Sequence, residues 1–272
     1  MNSVTDQPVA VSLTRPARIR LEFKNRCREL LDLLCEDGTA TGGQIGPLRR
    51  GETRGCWLAR NVMLVLRTMT APRPVFPGRF IFNSRVGHVA SQLMQSDNVR
   101  LYHDQALFKE PGGGHTPWHQ DQPYYNVDGL QNISFWIPVD PVSRPSTLEF
   151  IAGSHRGPWL MPRTFMTNQA KWFPEGSLAE LPDIDKHRED FPILGWELQP
   201  GDLVCFHMLS LHASAGVDGT QRRRVYSVRF LGDDMTHAPR PWVTSPPFPG
   251  LDQELPAGVP MDHALFPLMP GL

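Results

Sequence analysis

The chain has 272 residues, enough to bury a substantial core in one domain of barrel or sandwich type. Its 27 basic and 28 acidic residues leave a formal net charge of -1, which argues against nucleic acid or anionic membrane as partners recruited by a global field. With 40% apolar residues, 20% charged residues, 27 prolines and 23 glycines, the composition is that of a turn-rich, sheet-rich globular chain with few long helices.

In chain order, the opening "MNSVTDQPVAVSLTRPARIR" has no apolar stretch behind a basic start. No run approaches the roughly 20 apolar residues of a membrane helix, so a cytoplasmic protein is expected. Residues 18–36, "RIRLEFKNRCRELLDLLCE", place Ile19, Phe23, Cys27, Leu30, Leu31 and Leu34 on one helical face, and Asp37-Gly38 ends the pattern. A second helix is expected over 84–96, "SRVGHVASQLMQS". The texture then turns strand-like, in short apolar or alternating runs at 99–110, 132–140, 147–155, 196–207 and 223–232, separated by Gly, Pro, Asp and Asn. Several strands at this spacing and no βαβ unit favour a sandwich or barrel over a parallel sheet. Residues 239–260 are rich in proline and read as an irregular surface arm. The four cysteines, Cys27, Cys35, Cys56 and Cys205, lie far apart without a CxxC pair, so reduced thiols are expected rather than a zinc knuckle or a disulfide framework.

Chemistry concentrates in "GGGHTPWHQDQPYY", residues 112–125. On a strand, residues i and i+2 share a face, so His119 and Asp121 aim an imidazole and a carboxylate into one space. His212, in "FHMLSLHASAG" after a "PGDLVCFH" turn and strand, is the best third ligand, and two histidines with one carboxylate form the facial triad that suits ferrous iron. His103, His115, His155 and His207 compete for the same role, and an HxD pair alone is a weak signal. His207 shares the interior with His212 only if the strand runs regularly through both. Downstream, "RRRVYSVRF" puts Arg223, Val225, Ser227 and Arg229 on one strand face and Arg224, Tyr226, Val228 and Phe230 on the other. An inward arginine beside a metal is costly unless it meets an anion, and its fork fits a carboxylate; Arg223 reads this way, whereas Arg222 reads as a solvated charge. Neither a GxSxG elbow nor a Walker-type loop is present, which argues against a serine hydrolase or a nucleotide phosphate site.

The segments "HTPWHQDQPYY", "ISFWIPVDPVSRPSTLEFIAGSHR", "LQPGDLVCFHMLSLHASAG" and "RRRVYSVRFLGDD" resemble, in order over about residues 99–234, the phytanoyl-CoA dioxygenase family of iron(II) and 2-oxoglutarate dependent oxygenases. That resemblance implies a mainly β fold with peripheral helices, a double-stranded β-helix of the jelly-roll, cupin-like kind, in a single domain over 1–272. Its parts would be a β core at about 99–234, a helical N-terminal part at about 15–97 and the proline-rich arm at about 235–272. It implies iron ligands at His119, Asp121 and His212, with Arg223 on the distal carboxylate of 2-oxoglutarate and Ser214 adding a hydroxyl. Trp136 falls where an aromatic lines the cosubstrate pocket, or is an ordinary core tryptophan, and Gln105 and Thr116 are further pocket residues by the same analogy. The expected cofactors are Fe(II), 2-oxoglutarate and O2. The expected reaction is oxidation of a C–H bond, hydroxylation foremost, in a small-molecule metabolite or natural-product intermediate, with succinate and CO2 as coproducts. Because halogenases of this type lack the carboxylate ligand, Asp121 points away from halogenation.

Two departures from the family pattern bear on the substrate. "PVSRPST" replaces an acidic or glycine-containing turn, and the first 75 residues lack the familiar early pattern. Trp118, Tyr124, Tyr125 and Trp159 are candidates for an aromatic-walled substrate pocket or for core filling. The competing class is a cupin-like hydrolase or isomerase using the same three ligands without 2-oxoglutarate.

Overall fold

A computed structural model of the chain describes residues 10–13, 63–68, 76–161, 173–217 and 222–272. The expected helix at 18–36, and with it Cys27, Cys35 and Cys56, lies outside the described residues. Two short helices, α1 (Phe76–Asn83) and α2 (Val86–Met94), precede the long strands. The second answers the expectation over 84–96 and stops where Gln95 turns left-handed (φ 53°) and its N–H meets the Ser91 carbonyl.

Among the described residues the named strands all pair antiparallel, and they form two main sheets. The larger has the order β1 (Ala10–Leu13), β9 (Leu203–Phe206), β6 (Asn132–Pro138), β11 (Arg223–Leu231), β3 (Arg100–Lys109), β2 (Met63–Thr68). The smaller runs β4 (Thr116–His119), β10 (His212–Ser214), β7 (Leu148–Ile151), β8 (Ile193–Leu194). A two-stranded ribbon pairs β12 (Thr236–His237) with β5 (Val127–Asp128). The pattern is the expected jelly roll, with the five expected strand regions occupied by β3, β6, β7, β9 and β11. One difference is that β2, a strand and not a helix, lies within the stretch read as helical and extends the large sheet at its edge.

Period-two alternation decides which face of the large sheet each residue joins. Ile133, Phe135 and Ile137 of β6 and Tyr226, Val228 and Phe230 of β11 pack under Phe80, Ile81, Val86, Ala90 and Met94 of the helices. The intervening Trp136 and Val225, with Val204 and Phe206, meet Leu148 and Phe150 of the small sheet and make the inter-sheet core. Both faces of β6 and β11 are therefore buried, which is why these strands read as nearly continuous apolar runs. Each fully buried large apolar side chain contributes about 1.5–3 kcal/mol relative to exposure.

Over 239–260 most residues are exposed or half-buried, as in an irregular surface stretch, but the stretch is anchored by apolar side chains and its continuation to the C-terminus is packed on the core. Leu251 and Leu255 of and after the short helix α3 (Leu251–Glu254), with Met261 and Phe266, pack on Tyr102, Tyr125, Val127, Met208, Leu231 and Met235. Met269 enters the helix-covered core, and backbone bonds from Leu101 to Pro267 and from Met269 to Val99 stitch the tail to the start of β3. Prolines break regular structure without preventing burial when the residues between them are apolar.

Candidate active site

The antiparallel pairing of β4 with β10 sets His212 directly opposite His119. Their ring centroids are 4.2 Å apart. Each ring is fixed by its own chain: Nδ1 of His119 donates to the Pro117 carbonyl at 2.8 Å and Nδ1 of His212 to the Ser210 carbonyl at 2.9 Å. A carbonyl only accepts, so in both rings Nε2 is the nitrogen that carries the lone pair. The two Nε2 atoms each stand 3.8 Å from Oδ1 of Asp121, and the three ligand atoms lie within 4.8 Å of one another. It is the one such cluster of metal-ligating groups among the described residues.

The route by which Asp121 arrives differs from the expected i, i+2 strand geometry. The strand ends at His119, and Asp121 sits in a helical conformation (φ -76°, ψ -44°) at the head of a short 3-10 turn, Gln122–Tyr124. The N–H groups of Asp121 and Gln122 both donate to the Met208 carbonyl, at 2.8 and 3.0 Å, which fastens this turn to the loop before β10. Between the ligands, the Gln120 side chain points the other way and bonds the Pro158 and Leu209 carbonyls and the Leu160 N–H.

Electrostatics prepares the triad for a cation. Burial pulls the Asp121 carboxyl upward, but the Arg229 guanidinium and the facing histidines outweigh it and hold the group well below the usual carboxylate range. Burial, and then the neighbouring His119, push His212 down to about 3, so its ring is neutral at physiological pH. Ionised carboxylate and neutral imidazoles are the protonation states that divalent metal ligation requires.

Behind the triad lies a second polar cluster. Lys109, only 2% exposed, directs Nζ to Ser214 Oγ at 3.2 Å, Thr116 Oγ1 at 3.3 Å and the Ala215 carbonyl at 3.2 Å. Arg223 donates through Nη2 to the same Ser214 Oγ at 3.1 Å and through Nη1 to the Ser146 carbonyl, and its guanidinium lies over the Trp136 ring 5.3 Å from the centroid. Neither cation pairs with a carboxylate among the described residues, and Arg223 Nε has no hydrogen-bond partner there. Burial, reinforced by Arg223, pushes the Lys109 ammonium down to about 7, and burial brings Arg223 to about 10. Two desolvated cations converging on one hydroxyl make a buried cluster suited to an anion.

Five positions expected in the cosubstrate pocket thus divide. Arg223, Ser214, Trp136 and Thr116 gather at this cation cluster, whereas Gln105 accepts from Arg229 Nη1 at 3.3 Å, nearer Asp121. The rival histidines stand outside the triad, although the charge of His103, register partner of Arg229, is felt at Asp121. His115 is exposed, and His103 packs against the rings of Tyr102 and Tyr125. The strand before His212 stops at Phe206, so His207 turns away, bonding Leu130 and facing His155 at 5.7 Å. Arg222 pairs with Glu110 at the surface. Of the four aromatic pocket candidates, Trp118 and Tyr125 are core residues. Tyr124 stays near the metal centre, edge-on to His119 at 6.3 Å, and Trp159 lies under the Arg240 guanidinium at 4.8 Å. A wall continues from Tyr124 through Phe173 (5.7 Å) to Trp242 (4.9 Å). The sequence reading missed Lys109, Arg229 and Trp242; the lysine and the arginine are strand residues whose burial depends on pairing partners distant in the chain.

Comparison with known proteins agrees with this geometry. The profile of the family described as "Phytanoyl-CoA dioxygenase (PhyH)" matches residues 52–225. A "Probable phytanoyl-CoA dioxygenase" of Caenorhabditis elegans is 26% identical over 145 residues, which make up 51% of this chain but only 44% of the relative. Among solved structures, the carbocyclase SnoK from nogalamycin biosynthesis superposes with a TM-score of 0.64 at 18% identity over 96% of this chain and 92% of its own. The epimerase SnoN in complex with Fe3+, alpha ketoglutarate and nogalamycin RO gives 0.62 at 18% identity over 96% and 94%. EctD from S. alaskensis, with 2-oxoglutarate and 5-hydroxyectoine, gives 0.59 at 18% over 96% and 83%. These structures share the jelly-roll fold, and the profile match spans more than half of the chain, including the two histidines and the aspartate of the converging triad: the chain belongs to the phytanoyl-CoA dioxygenase family.

Proposed function

We propose that this protein is an iron(II)- and 2-oxoglutarate-dependent dioxygenase that oxidises a C–H bond of a small, largely apolar molecule of the metabolite or natural-product kind, acting as one oxygenase domain. The observation that carries the reading is the adjacency of two unlike clusters. Three ligand atoms converge on one point, and two buried cations without a carboxylate converge on Ser214 next to it. The donor set fits iron(II), because two imidazoles and one carboxylate on one face leave open positions. The cation cluster fits a dicarboxylic cosubstrate, since it offers a guanidinium and an ammonium to one anionic end.

In this reading His119, Asp121 and His212 hold the metal, and Arg223, Lys109 and Ser214 hold the distal carboxylate. Trp136 supplies an apolar wall that keeps Arg223 desolvated. When bound, iron and 2-oxoglutarate together supply the oxidising power, consuming O2 and yielding succinate and CO2. The residues of the chain contribute position: fixed imidazole tautomers, a dry pocket and an oriented target bond. Tyr124, Phe173 and Trp242 form an aromatic wall that starts at His119, where an apolar substrate would rest. The natural-product setting of SnoK and SnoN supports the same substrate class.

A hydrolase or isomerase would leave the Lys109–Arg223 pair without an anion. The deciding experiment adds iron(II) and 2-oxoglutarate anaerobically to metal-free protein and looks for the weak visible charge-transfer band of an iron-bound 2-oxo acid. The band is expected in wild type, absent in His119→Ala and weakened in Arg223→Ala. Iron binding with no band and no 2-oxoglutarate affinity would overturn the assignment.

A further inference from the structure

The two oxygens of Asp121 are not equivalent. Oδ1 is the one that stands 3.8 Å from Nε2 of both histidines. Oδ2 faces the opposite way and is held by two donors, Ser134 Oγ at 3.1 Å and Arg229 Nη2 at 3.2 Å. Those donors come from neighbouring positions: Arg229 of β11 and Ser134 of β6 are register partners in the large sheet. The guanidinium is itself fixed, because Nη1 donates to Ser227 Oγ at 2.8 Å and to Gln105 Oε1 at 3.3 Å. Arg229 is 6% exposed and Ser134 is fully buried, so water does not compete for these bonds.

Stability does not account for this arrangement. A buried arginine–carboxylate pair gains little over apolar side chains of the same volume, since desolvation offsets the attraction. What the arrangement does accomplish is geometric. An aspartate with both oxygens accessible can chelate a metal through two atoms or swing about χ2 between them. Here one oxygen is committed to the large sheet and only the other faces the metal position.

Resting on the iron reading above, we propose that Arg229, assisted by Ser134, is a positioning residue that restricts Asp121 to a single ligating oxygen and so keeps a coordination position open for cosubstrate and oxygen. The inward register of β11 therefore serves both ends of the cavity. Arg223 at its start faces the anion subsite, and Arg229, three register steps further along the same face, sets the carboxylate ligand.

The test uses cobalt(II), whose visible absorption reports coordination number and ligand geometry, titrated into metal-free wild type, Ser134→Ala, Arg229→Lys and His119→Ala. His119→Ala is the control that loses the metal outright. Loss of an outer hydrogen bond to a metal-ligating carboxylate weakens metal affinity by about 10–100-fold. Ser134→Ala and Arg229→Lys are expected to fall in or near that range, with a changed cobalt spectrum as Oδ2 is released, and with near-UV circular dichroism unchanged. If Arg229→Lys loses its tertiary signal, Ser134→Ala, which removes one atom from a buried site, decides the matter alone. Wild-type affinity and an unchanged spectrum in the folded variants would overturn the positioning role while leaving the metal centre intact. Failure of wild type itself to bind cobalt(II) or iron(II) would overturn the metal reading, and this inference with it.

Discussion

Lys109 carries its amine where the ammonium form is far less favoured than in an ordinary lysine. Burial and the neighbouring Arg223 bring it from 10.5 to about 7, so a folded protein releases that proton while an unfolded chain still binds it between about pH 7 and 10.5. Stability therefore rises with pH across that window, and the cost of the buried charge is present in full below about pH 7. Anion binding has the opposite sign, because only the ammonium form attracts a carboxylate. In the proposed reading, 2-oxoglutarate affinity declines as pH rises above about 7, and Lys109→Met lowers the affinity at pH 6 by about tenfold or more while flattening that decline. Calorimetric titration with iron(II) present measures both, and a wild-type affinity independent of pH would refute the role. Nothing in "ALFKE" marks this lysine as functional. Its burial comes from β3 pairing with β11, which sets Lys109 opposite Arg223, a contact across more than a hundred positions of chain. His119 and Asp121 were legible because their chemistry is local, although the carboxylate arrives by a 3-10 turn and not by the strand alternation that suggested it.

At the scale of the element, β6 divides stability from chemistry residue by residue. Its outer residue Phe135 is fully buried under the helices, edge-on to Phe230 at 5.4 Å, while its neighbours Ser134 and Trp136 face the cavity. Phe135→Ala removes a large side chain from a packed layer and is expected to cost about 3–5 kcal/mol in chemical denaturation. Because the lost contacts lie on the far side of the sheet, metal affinity measured well below the unfolding transition is expected to stay within about twofold of wild type. A parallel loss of metal affinity would mean that the two faces are coupled. The strand faces were legible from period-two alternation alone, and β11 follows the expected partition, Arg223 and Arg229 inward and Tyr226, Val228 and Phe230 outward. The short strands β4 and β10 were harder to see. Four and three residues carry too little periodicity, and their pairing depends on bonds that closely flanking loops provide.

For the molecule as a whole, the C-terminal stretch decides whether the jelly roll is closed at the end where β3, β5 and β12 meet. Composition was a partial guide here, because proline density reports the absence of regular structure and says nothing of where the stretch is anchored. Phe266 is fully buried, Met261 and Met269 are at most 5% exposed, and Arg100 reaches across to the Phe266 carbonyl at 3.1 Å. Trp242, in the same stretch, donates to the Pro123 carbonyl at 2.9 Å and packs on Phe173, so the segment also fixes the turn that follows Asp121. Removing everything after Pro260 would delete three buried large apolar side chains, Met261, Phe266 and Met269, and expose the surfaces they cover. At about 1.5–3 kcal/mol for each, the loss is comparable with the roughly 5–15 kcal/mol by which a domain is stable. A protein truncated there is expected to lose its cooperative thermal transition, whereas Trp242→Phe in the full chain is expected to keep it. The residues after Pro260 are thereby a structural member, and a truncated protein that melted at the wild-type temperature would show that they are not.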